Sequence, residues 1–364
     1  MSPVPGRFLI LSAGMGSGHD AVAAEVARRL EAGGGRTTTV DVLDLLPPGL
    51  GGELRSFYRS VICRMPVVYA GLYAAFFRAG SGPRPGSTPL AALARRRLLR
   101  LVELQRPDVV VPVFHLAAQL TGGLRARGAL AVPTAVVITD FAVHRQWLHR
   151  GNDLHLCLTP DLAHQVRQAV RRPAVASGAL VAPRFRAQAP PASDGQRRLD
   201  SPDRPPVLIS TGAWGAGARL GQTTRLVASA GYRPVVLCGT NTRLRRDLSR
   251  IAQADVMGWV EDMPGLMRAS RALIDNAAGQ TALEAMAAGV PVIGYRPIPG
   301  HGAAGARQMA EHGFSDFAPD PWTLIRALDR LTAPGPLREQ RITAARALFS
   351  GPGVRPLEAL VHAD

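Results

Sequence analysis

Short apolar runs alternate along this chain with stretches whose apolar residues recur at helical spacing. Phe8–Ser12, Thr37–Asp41, Asp108–Val113, Val132–Ile138 and Leu154–Leu158 predict strands. Asp20–Glu31, Leu90–Gln105, His115–Arg127 and Asp161–Arg171 predict helices between or after them. Alternation of this kind predicts a parallel sheet with helices on both faces. Arg186–Pro206 then breaks the pattern: it is rich in Pro, Ser and charge, has no apolar period, and reads as an interdomain linker. A second alternating series follows, with strands at Val207–Ser210, Pro234–Leu237, Asp255–Met257, Ala272–Asp275 and Pro291–Gly294. Its helices fall near Ala218–Ala230, Thr242–Ala252, Met263–Arg268, Thr281–Ala288 and Ala303–His312, and Trp322–Phe349 also reads as helical. The expectation is an α/β protein of two Rossmann-like domains facing a cleft. The domains are residues 1–185 and 207–335, joined by the linker 186–206, with a helical tail, 336–364, that packs back on the first domain. In such sheets ligands sit beyond the carboxyl ends of the strands.

Candidate chemistry gathers at those ends. Ser270–Arg307 runs strand, Gly-rich turn, helix, strand, then Pro-Ile-Pro-Gly. A turn that leads at once into a helix offers backbone N–H groups and the positive end of a helix dipole, which suits a phosphate. Gly279, Gln280 and Thr281 occupy that junction, and Glu284 lies about one turn further on, where a carboxylate can accept from ribose hydroxyls. Ser210–Gly217, STGAWGAG, follows another strand, and Gly212, Gly215 and Gly217 would give a diphosphate backbone access. The alternative for both loops is a tight turn with no ligand.

Ser12–His19, SAGMGSGH, lies between the first strand and the first helix, with Gly14, Gly16 and Gly18 where the chain turns. The spacing is not the dinucleotide fingerprint, because the last Gly of that pattern falls on His19. Asp41, at the end of the second strand, could mimic the ribose carboxylate of a dinucleotide site, which keeps that rival in view. A helix N-terminus disfavours an imidazolium by about 0.3–1 kcal/mol, which suits His19 as a neutral base. A capping or phosphate-contacting His is the alternative. Ile138–Asp153, ITDFAVHRQWLHRGND, sets Asp140 at a strand end, with His144 and Trp147 in the loop that follows. A base placed there toward a hydroxyl contributes about 10²–10⁴-fold. Asp140 could equally cap a turn, and Trp147 could equally serve packing.

Composition narrows the partners. All 43 basic residues are Arg, against 27 Asp and Glu, for a formal charge of +16 that attracts anionic surfaces. No recognisable nucleic-acid-binding motif appears, so nucleic acid ranks behind anionic lipid and nucleotide phosphates. Cys63, Cys157 and Cys238 are scattered and odd in number, as in a reducing compartment, and no His/Cys spacing suits a metal. The first strand is too short and too soon followed by Gly for a signal peptide, and no apolar run approaches the ~20 residues of a membrane span. Leu50–Arg106 is too long for one connection: it carries ten Arg and two Glu, with Phe57, Tyr58, Tyr69, Tyr73, Phe76 and Phe77 among them. Met65–Phe77 is apolar enough for an interfacial helix. A solvated helix pair on the sheet is the alternative.

From about Phe8 to Asp316 these motifs, in this order, resemble the GT-B glycosyltransferases. The similarity is to the group containing monogalactosyldiacylglycerol synthases, processive diacylglycerol glucosyltransferases and the peptidoglycan N-acetylglucosaminyltransferase. The Gly loop ending at His19 resembles the family's Gly-Gly-His loop. Thr139-Asp140-Phe141 with His144 and Trp147 resembles Thr-Asp-(aromatic)-x-x-His-x-x-Trp. Gly258–Pro264 resembles Gly-(aromatic)-Val-x-Asp-Met-Pro, and Gly279–Glu284 resembles Gly-x-Thr-x-x-Glu.

The resemblance implies a metal-independent, inverting transfer of a hexose from a UDP-sugar, with no further cofactor, to a hydroxyl of a membrane lipid such as diacylglycerol. His19 and Asp140 would be catalytic, and Gly14, Gly16, Gly18, His144 and Trp147 would hold the acceptor. Gly212, Gly215, Gly217, Gly279, Gln280, Thr281 and His301 would surround the donor, Trp259 and Val260 would meet the uracil, and Glu284 the ribose. It also implies docking of the Leu50–Arg106 insertion on an anionic membrane, peripherally at the cytoplasmic face. The chain departs from the family after Pro299-Gly300, where His301-Gly302 replaces the Gln-Glu/Asp pair that meets the sugar hydroxyls. Three alternatives stay open: a soluble secondary-metabolite glycosyltransferase, a UDP-N-acetylglucosamine 2-epimerase-like isomerase, and a non-catalytic nucleotide-sugar-binding module.

Overall fold

The computed structural model describes residues 6–77, 87–186 and 204–361. Part of the expected insertion, 78–86, and most of the expected linker, 187–203, lie outside the described residues. The chain divides into two compact units. The first holds the described residues of Met1–Ser60, Val68–Leu180 and Ser350–Asp364; the second holds those of Val61–Val67 and Val181–Phe349.

The first unit is built on parallel strands β1 (Arg7–Ser12), β2 (Arg36–Asp41), β3 (Val109–Pro112), β4 (Ala135–Val137), β5 (Leu154–Cys157) and β6 (Ala174–Ala176). The ladders run β2-β1-β3 and β4-β5-β6, and a parallel bridge between Val110 and Thr134 links the two. Alternate residues serve opposite faces, as strand geometry requires. Leu9, Leu11 and Val110 join one core with Leu43, Leu98 and Leu120. Phe8, Ile10 and Val111 join another with Val26, Leu156 and Leu180. The chain leaves β1 for β2 on one side and for β3 on the other, so the strand order reverses between β1 and β3. A crevice at such a switch point is where open α/β sheets bind ligands.

The second unit has six parallel strands, β7 (Pro206–Ser210), β8 (Arg233–Leu237), β9 (Asp255–Met257), β10 (Ala272–Asp275), β11 (Val292–Tyr295) and β12 (Asp316–Ala318). Their order is β12-β11-β10-β7-β8-β9. This is the doubly wound dinucleotide-fold order, with its switch point between β7 and β10. Val207, Ile209, Ile274 and Ile293 anchor its core against Leu324 and Leu328.

Local signals account for most element ends. Thr159, Asn241, Asp262 and Asp320 each accept a backbone N–H of the helix they precede, beginning at Pro160, Thr242, Met263 and Pro321. The insertion forms helices Leu50–Arg64, Pro66–Phe76 and Thr88–Gln105, and Pro66 forces the break at Met65. Two strands escape the sequence pattern: β6 (Ala-Val-Ala) and β12 (Asp-Phe-Ala) each have three residues with a single large apolar side chain, too little to register as an apolar run. The helical stretch expected over Trp322–Phe349 is divided between Pro321–Thr332 and Pro336–Arg346, with Gly335 and Pro336 at the joint. Residues up to Phe349 belong to the second unit, and only those from Ser350 onward belong to the first. There Gly353 N–H donates to the Ser177 carbonyl at 3.0 Å, and Val354 and Leu357 enter the core beside Phe8 and Ile10. Gly351 is set by space, because a Cβ there would strike the Ser177 carbonyl.

Candidate functional site

In the first unit the switch point gathers the glycine loop after β1, the start of helix His115–Arg125 after β3, and the loop after β4. Gly16 has φ 111°, a backbone state that needs glycine, and no side chain caps helix Ser17–Ala32. Gly18 lies in the first turn of that helix. Gly14 is different, because its N–H donates to Asp41 Oδ2 at 2.9 Å and is not open to a ligand. Asp41 also accepts from Arg55 Nη2 at 2.7 Å and from Leu43 N–H at 2.8 Å. The dinucleotide reading of Asp41 is therefore corrected: this carboxylate ties the glycine loop to helix Leu50–Arg64.

His19 Nδ1 lies 3.1 Å from the Val113 carbonyl. A carbonyl only accepts, so Nδ1 carries the proton and Nε2 carries the lone pair of the neutral ring. Burial lowers the His19 pKa from its ordinary value, against the pull of Asp140 and the bond to Val113. The ring is thus neutral at pH 7 in the tautomer that accepts a proton at Nε2. Thr139 Oγ1 stands 3.4 Å from His19 Nδ1 and 3.4 Å from Asp140 Oδ1, between the two candidate catalytic groups.

Asp140 Oδ2 accepts the Trp147 indole N–H at 2.7 Å, and His144 Nε2 lies 3.6 Å from the same oxygen. Trp147 is wholly buried and His144 is 6% exposed. Neither presents a ring face that could stack on a sugar or an acyl chain, so their expected place at the acceptor surface is corrected. Trp147 packs against His115, His144 and His19 at centroid distances of 6.1, 6.1 and 6.2 Å, and its contact with the site is the hydrogen bond to Asp140. His149 and Asp153, in the same stretch, are structural. His149 fills the space left by Gly122, and Asp153 pairs with Arg125 at 2.8 Å and accepts Thr134 N–H.

In the second unit the switch point lies between the loops after β7 and β10. Asp275 Oδ2 accepts the N–H groups of Ala277 (2.9 Å) and Ala278 (2.6 Å), which folds the loop back before helix Gln280–Ala287. Ala278 takes φ 52° as part of that turn. Asn276 Nδ2 donates 2.8 Å to the Ala216 carbonyl and joins the two loops. Gly217 makes room for it, since a Cβ there would stand 2.7 Å from the amide. Gly215, at φ 66°, likewise makes room for Asn241 and the Cys238 carbonyl. Of the three glycines in this loop, Gly212 alone has open space around the missing side chain, at φ 65°. Packing thus explains Gly215 and Gly217, expected to open the backbone to a diphosphate.

No side chain caps helix Gln280–Ala287, which starts after Gly279 with Gln280 and Thr281 in its first turn. Glu284 lies one turn in, partly buried, with no hydrogen bond to its carboxylate among the described residues. Burial pushes its pKa up to about 7, despite the nearby Arg184 guanidinium. Such a carboxylate is costly to the protein alone and is suited to a partner that donates hydrogen bonds. Helix His301–Glu311 also begins without a side-chain cap, after Gly300 at φ 85°. Its Gly302 approaches the Asn276 carbonyl, where a Cβ would stand at 3.1 Å, so a larger residue there would crowd the loop before Gln280. His301 is partly buried at the start of that helix. Trp259 is 60% exposed and open to a planar partner, and Val260 beside it is half-buried.

Sequence reasoning missed Thr139 as the bridge between His19 and Asp140, Asp275 as the organiser of the turn, and Arg184. Asp-Asn at a strand end ahead of a small-residue turn is a readable signal for the second. Arg184 reaches Glu284 across 100 residues and left none.

Two doubly wound units, each with glycine loops at its switch point, make a GT-B glycosyltransferase fold. The glycosyltransferase SnogD from Streptomyces nogalater superposes with TM-score 0.63 at 17% identity, over 98% of this chain and all of that one. Os79 from O. sativa, solved in complex with UDP, gives 0.64 at 15% identity, over 98% of this chain and 99% of that one. Within that fold the chain is similar to proteins of the monogalactosyldiacylglycerol synthase and processive diacylglycerol glucosyltransferase group. Residues 19–175 match the family described as monogalactosyldiacylglycerol (MGDG) synthase. The processive diacylglycerol β-glucosyltransferase of Bacillus subtilis (strain 168) is 29% identical over 229 residues, which span 61% of this chain and 59% of the relative.

Proposed function

We propose that the protein transfers a hexose from a UDP-sugar to a hydroxyl of a membrane lipid such as diacylglycerol, with inversion at the anomeric carbon. The observation that carries the reading is Glu284: a carboxylate without a hydrogen-bond partner among the described residues, one turn into an uncapped helix at a switch point. It would accept from the ribose hydroxyls, while Trp259 and Val260 meet the uracil. The first turns of helices Gln280–Ala287 and His301–Glu311, with Gly212, would face the diphosphate and the sugar. Their amides and dipoles would take up the charge that develops on the leaving UDP, which needs no metal.

In the first unit the acceptor hydroxyl would give its proton to His19 Nε2 as its oxygen attacks the anomeric carbon. The bond to the UDP oxygen breaks, and UDP leaves with the electron pair. Asp140 would stabilise the imidazolium, held in place by Trp147 and Thr139. The names of the relatives support the lipid acceptor, and the insertion supports its source. Phe57 (55%), Val67 (83%) and Val68 (48%) are exposed on its first two helices, and the chain carries +16. Apolar side chains among Arg suit the interface of an anionic leaflet, at the cytoplasmic face. Among the described residues no helix is long and apolar enough to cross a membrane.

The test is UDP release by the purified protein, given UDP-glucose, UDP-galactose or UDP-N-acetylglucosamine, each with and without anionic liposomes holding diacylglycerol. Release that needs one donor and the diacylglycerol is expected. Donor turnover with no dependence on diacylglycerol would overturn the lipid acceptor, and no binding of any donor would overturn the reading as a whole.

A further inference from the structure

Asp140 is held by Trp147, and Trp147 ends a short 3₁₀ turn, Arg145–Trp147, whose middle residue is Gln146. Gln146 is 4% exposed, and its side chain joins two segments far apart in sequence. Oε1 accepts Ser87 N–H at 3.2 Å and Ser87 O–H at 2.8 Å, and Nε2 donates to the Phe76 carbonyl at 2.8 Å. The orientation of the amide is fixed by chemistry: an N–H only donates and a carbonyl only accepts. The Gln146 carbonyl in turn accepts from Gln119 Nε2 at 2.9 Å, which also donates to the Leu148 carbonyl at 3.1 Å. Arg145 adds its own bonds to the same point, from Nε to the Phe76 carbonyl at 2.8 Å and from N–H to the Phe77 carbonyl at 3.3 Å. The end of helix Pro66–Phe76 and the start of helix Thr88–Gln105 therefore meet at one buried amide, next in sequence to the residue that holds Asp140.

We infer that Gln146 is a positioning residue, which sets the place of Asp140 from the insertion so that acceptor engagement and the catalytic groups share one geometry. This rests on the function proposed above. The same insertion helix that carries exposed Val67 and Val68 ends at Phe76, and three consecutive residues, Arg145, Gln146 and Trp147, carry its position to Asp140. A displacement of about 1 Å at reacting groups can cost on the order of 10²-fold in rate. A buried amide with both ends engaged is a fitting device to prevent it, since losing either end strands a buried donor or acceptor.

The test compares Gln146→Ala and Gln146→Glu with the wild type, in transfer from the active UDP-sugar to diacylglycerol liposomes at pH 6 and pH 8, with UDP titration and thermal melts at both. Gln146→Ala should lower kcat about tenfold or more at both pH values and leave UDP affinity unchanged. Gln146→Glu keeps the acceptor toward Ser87. When protonated it also restores a donor toward Phe76; when ionised it sets a carboxylate oxygen against that carbonyl. Burial at this 4% exposed position raises a carboxyl's pKa, against the pull of the Arg145 guanidinium on the same carbonyl. The kcat of Gln146→Glu should therefore lie nearer the wild-type value at pH 6 than at pH 8, a profile that a merely structural residue would not give among molecules still folded. Unchanged kcat in Gln146→Ala, or a Gln146→Glu defect equal at both pH values, would overturn the inference and leave the proposed function standing. A wild type with no lipid-dependent transfer would overturn both.

Discussion

The two switch points differ in what they leave unfinished. In the first unit the candidate catalytic groups and the carboxylate behind the glycine loop already have partners: His19 on Val113, Asp140 on Trp147, Asp41 on Gly14 and Arg55. In the second unit the loop is organised by Asp275 and Asn276, but Glu284 is left partly buried and without a hydrogen-bond partner among the described residues, with its pKa pushed up to about 7. The contrast fits the two tasks proposed for them. Proton transfer needs donors and acceptors held in fixed tautomers before the substrate arrives, and a pre-bonded network supplies that. Nucleotide binding draws its free energy from groups completed by the ligand, and a carboxylate without a partner supplies that.

The comparison can be broken first at Asp140. Asp140→Asn and His19→Ala should each lower kcat about 10²–10⁴-fold while UDP affinity stays within twofold; full turnover in both would move the acceptor chemistry elsewhere. Next in size is Trp147→Phe, which keeps the packing and removes the indole N–H. About a tenfold loss in kcat with about 1 kcal/mol of stability is expected, and a large stability loss with unchanged kcat would reduce Trp147 to packing. The smallest effect sharpens the contrast in the unliganded protein. Because the folded-state pKa of Glu284 lies above its ordinary value of 4.5, its contribution to stability is present below pH 4.5 and is lost as pH rises through about 7. Glu284→Gln should therefore be more stable than the wild type at pH 8, by about 1–3 kcal/mol, with the gap closing toward pH 5. Melting curves at the two pH values check this, and an equal gap at both would mean that the carboxylate is solvated.

The alternation of strands and helices was legible in the apolar pattern because parallel strands buried on both faces read as near-continuous apolar runs, as in Val109–Pro112 and Ala272–Asp275. β6 and β12 were not, since each has three residues with only one large apolar side chain, Val175 and Phe317. Asp140, His19 and Glu284 could be named because each follows a strand end or a glycine turn in sequence. What the side chains touch could not be read. Trp147 appears in sequence as an aromatic in a polar loop, and only the folded chain buries it beneath Asp140. Gly215 and Gly217 appear as ligand-facing glycines, yet Asn241 and Asn276, from elements 26 or more residues away, occupy the space they leave. Long-range neighbours of this kind leave no mark on local spacing.

The division of labour is tested most directly by titrating UDP into the wild type, Glu284→Gln and Asp140→Asn at pH 6 and pH 8. Comparing variants at one pH cancels the titration of the nucleotide itself. The account predicts that Asp140→Asn binds UDP as the wild type does. It also predicts that Glu284→Gln binds about tenfold or more weakly at pH 8, as a lost charge-assisted hydrogen bond implies, with a smaller deficit at pH 6, where the wild-type carboxylate is largely protonated. Equal affinity in the wild type and Glu284→Gln at both pH values would contradict the claim that this carboxylate is the nucleotide's anchor.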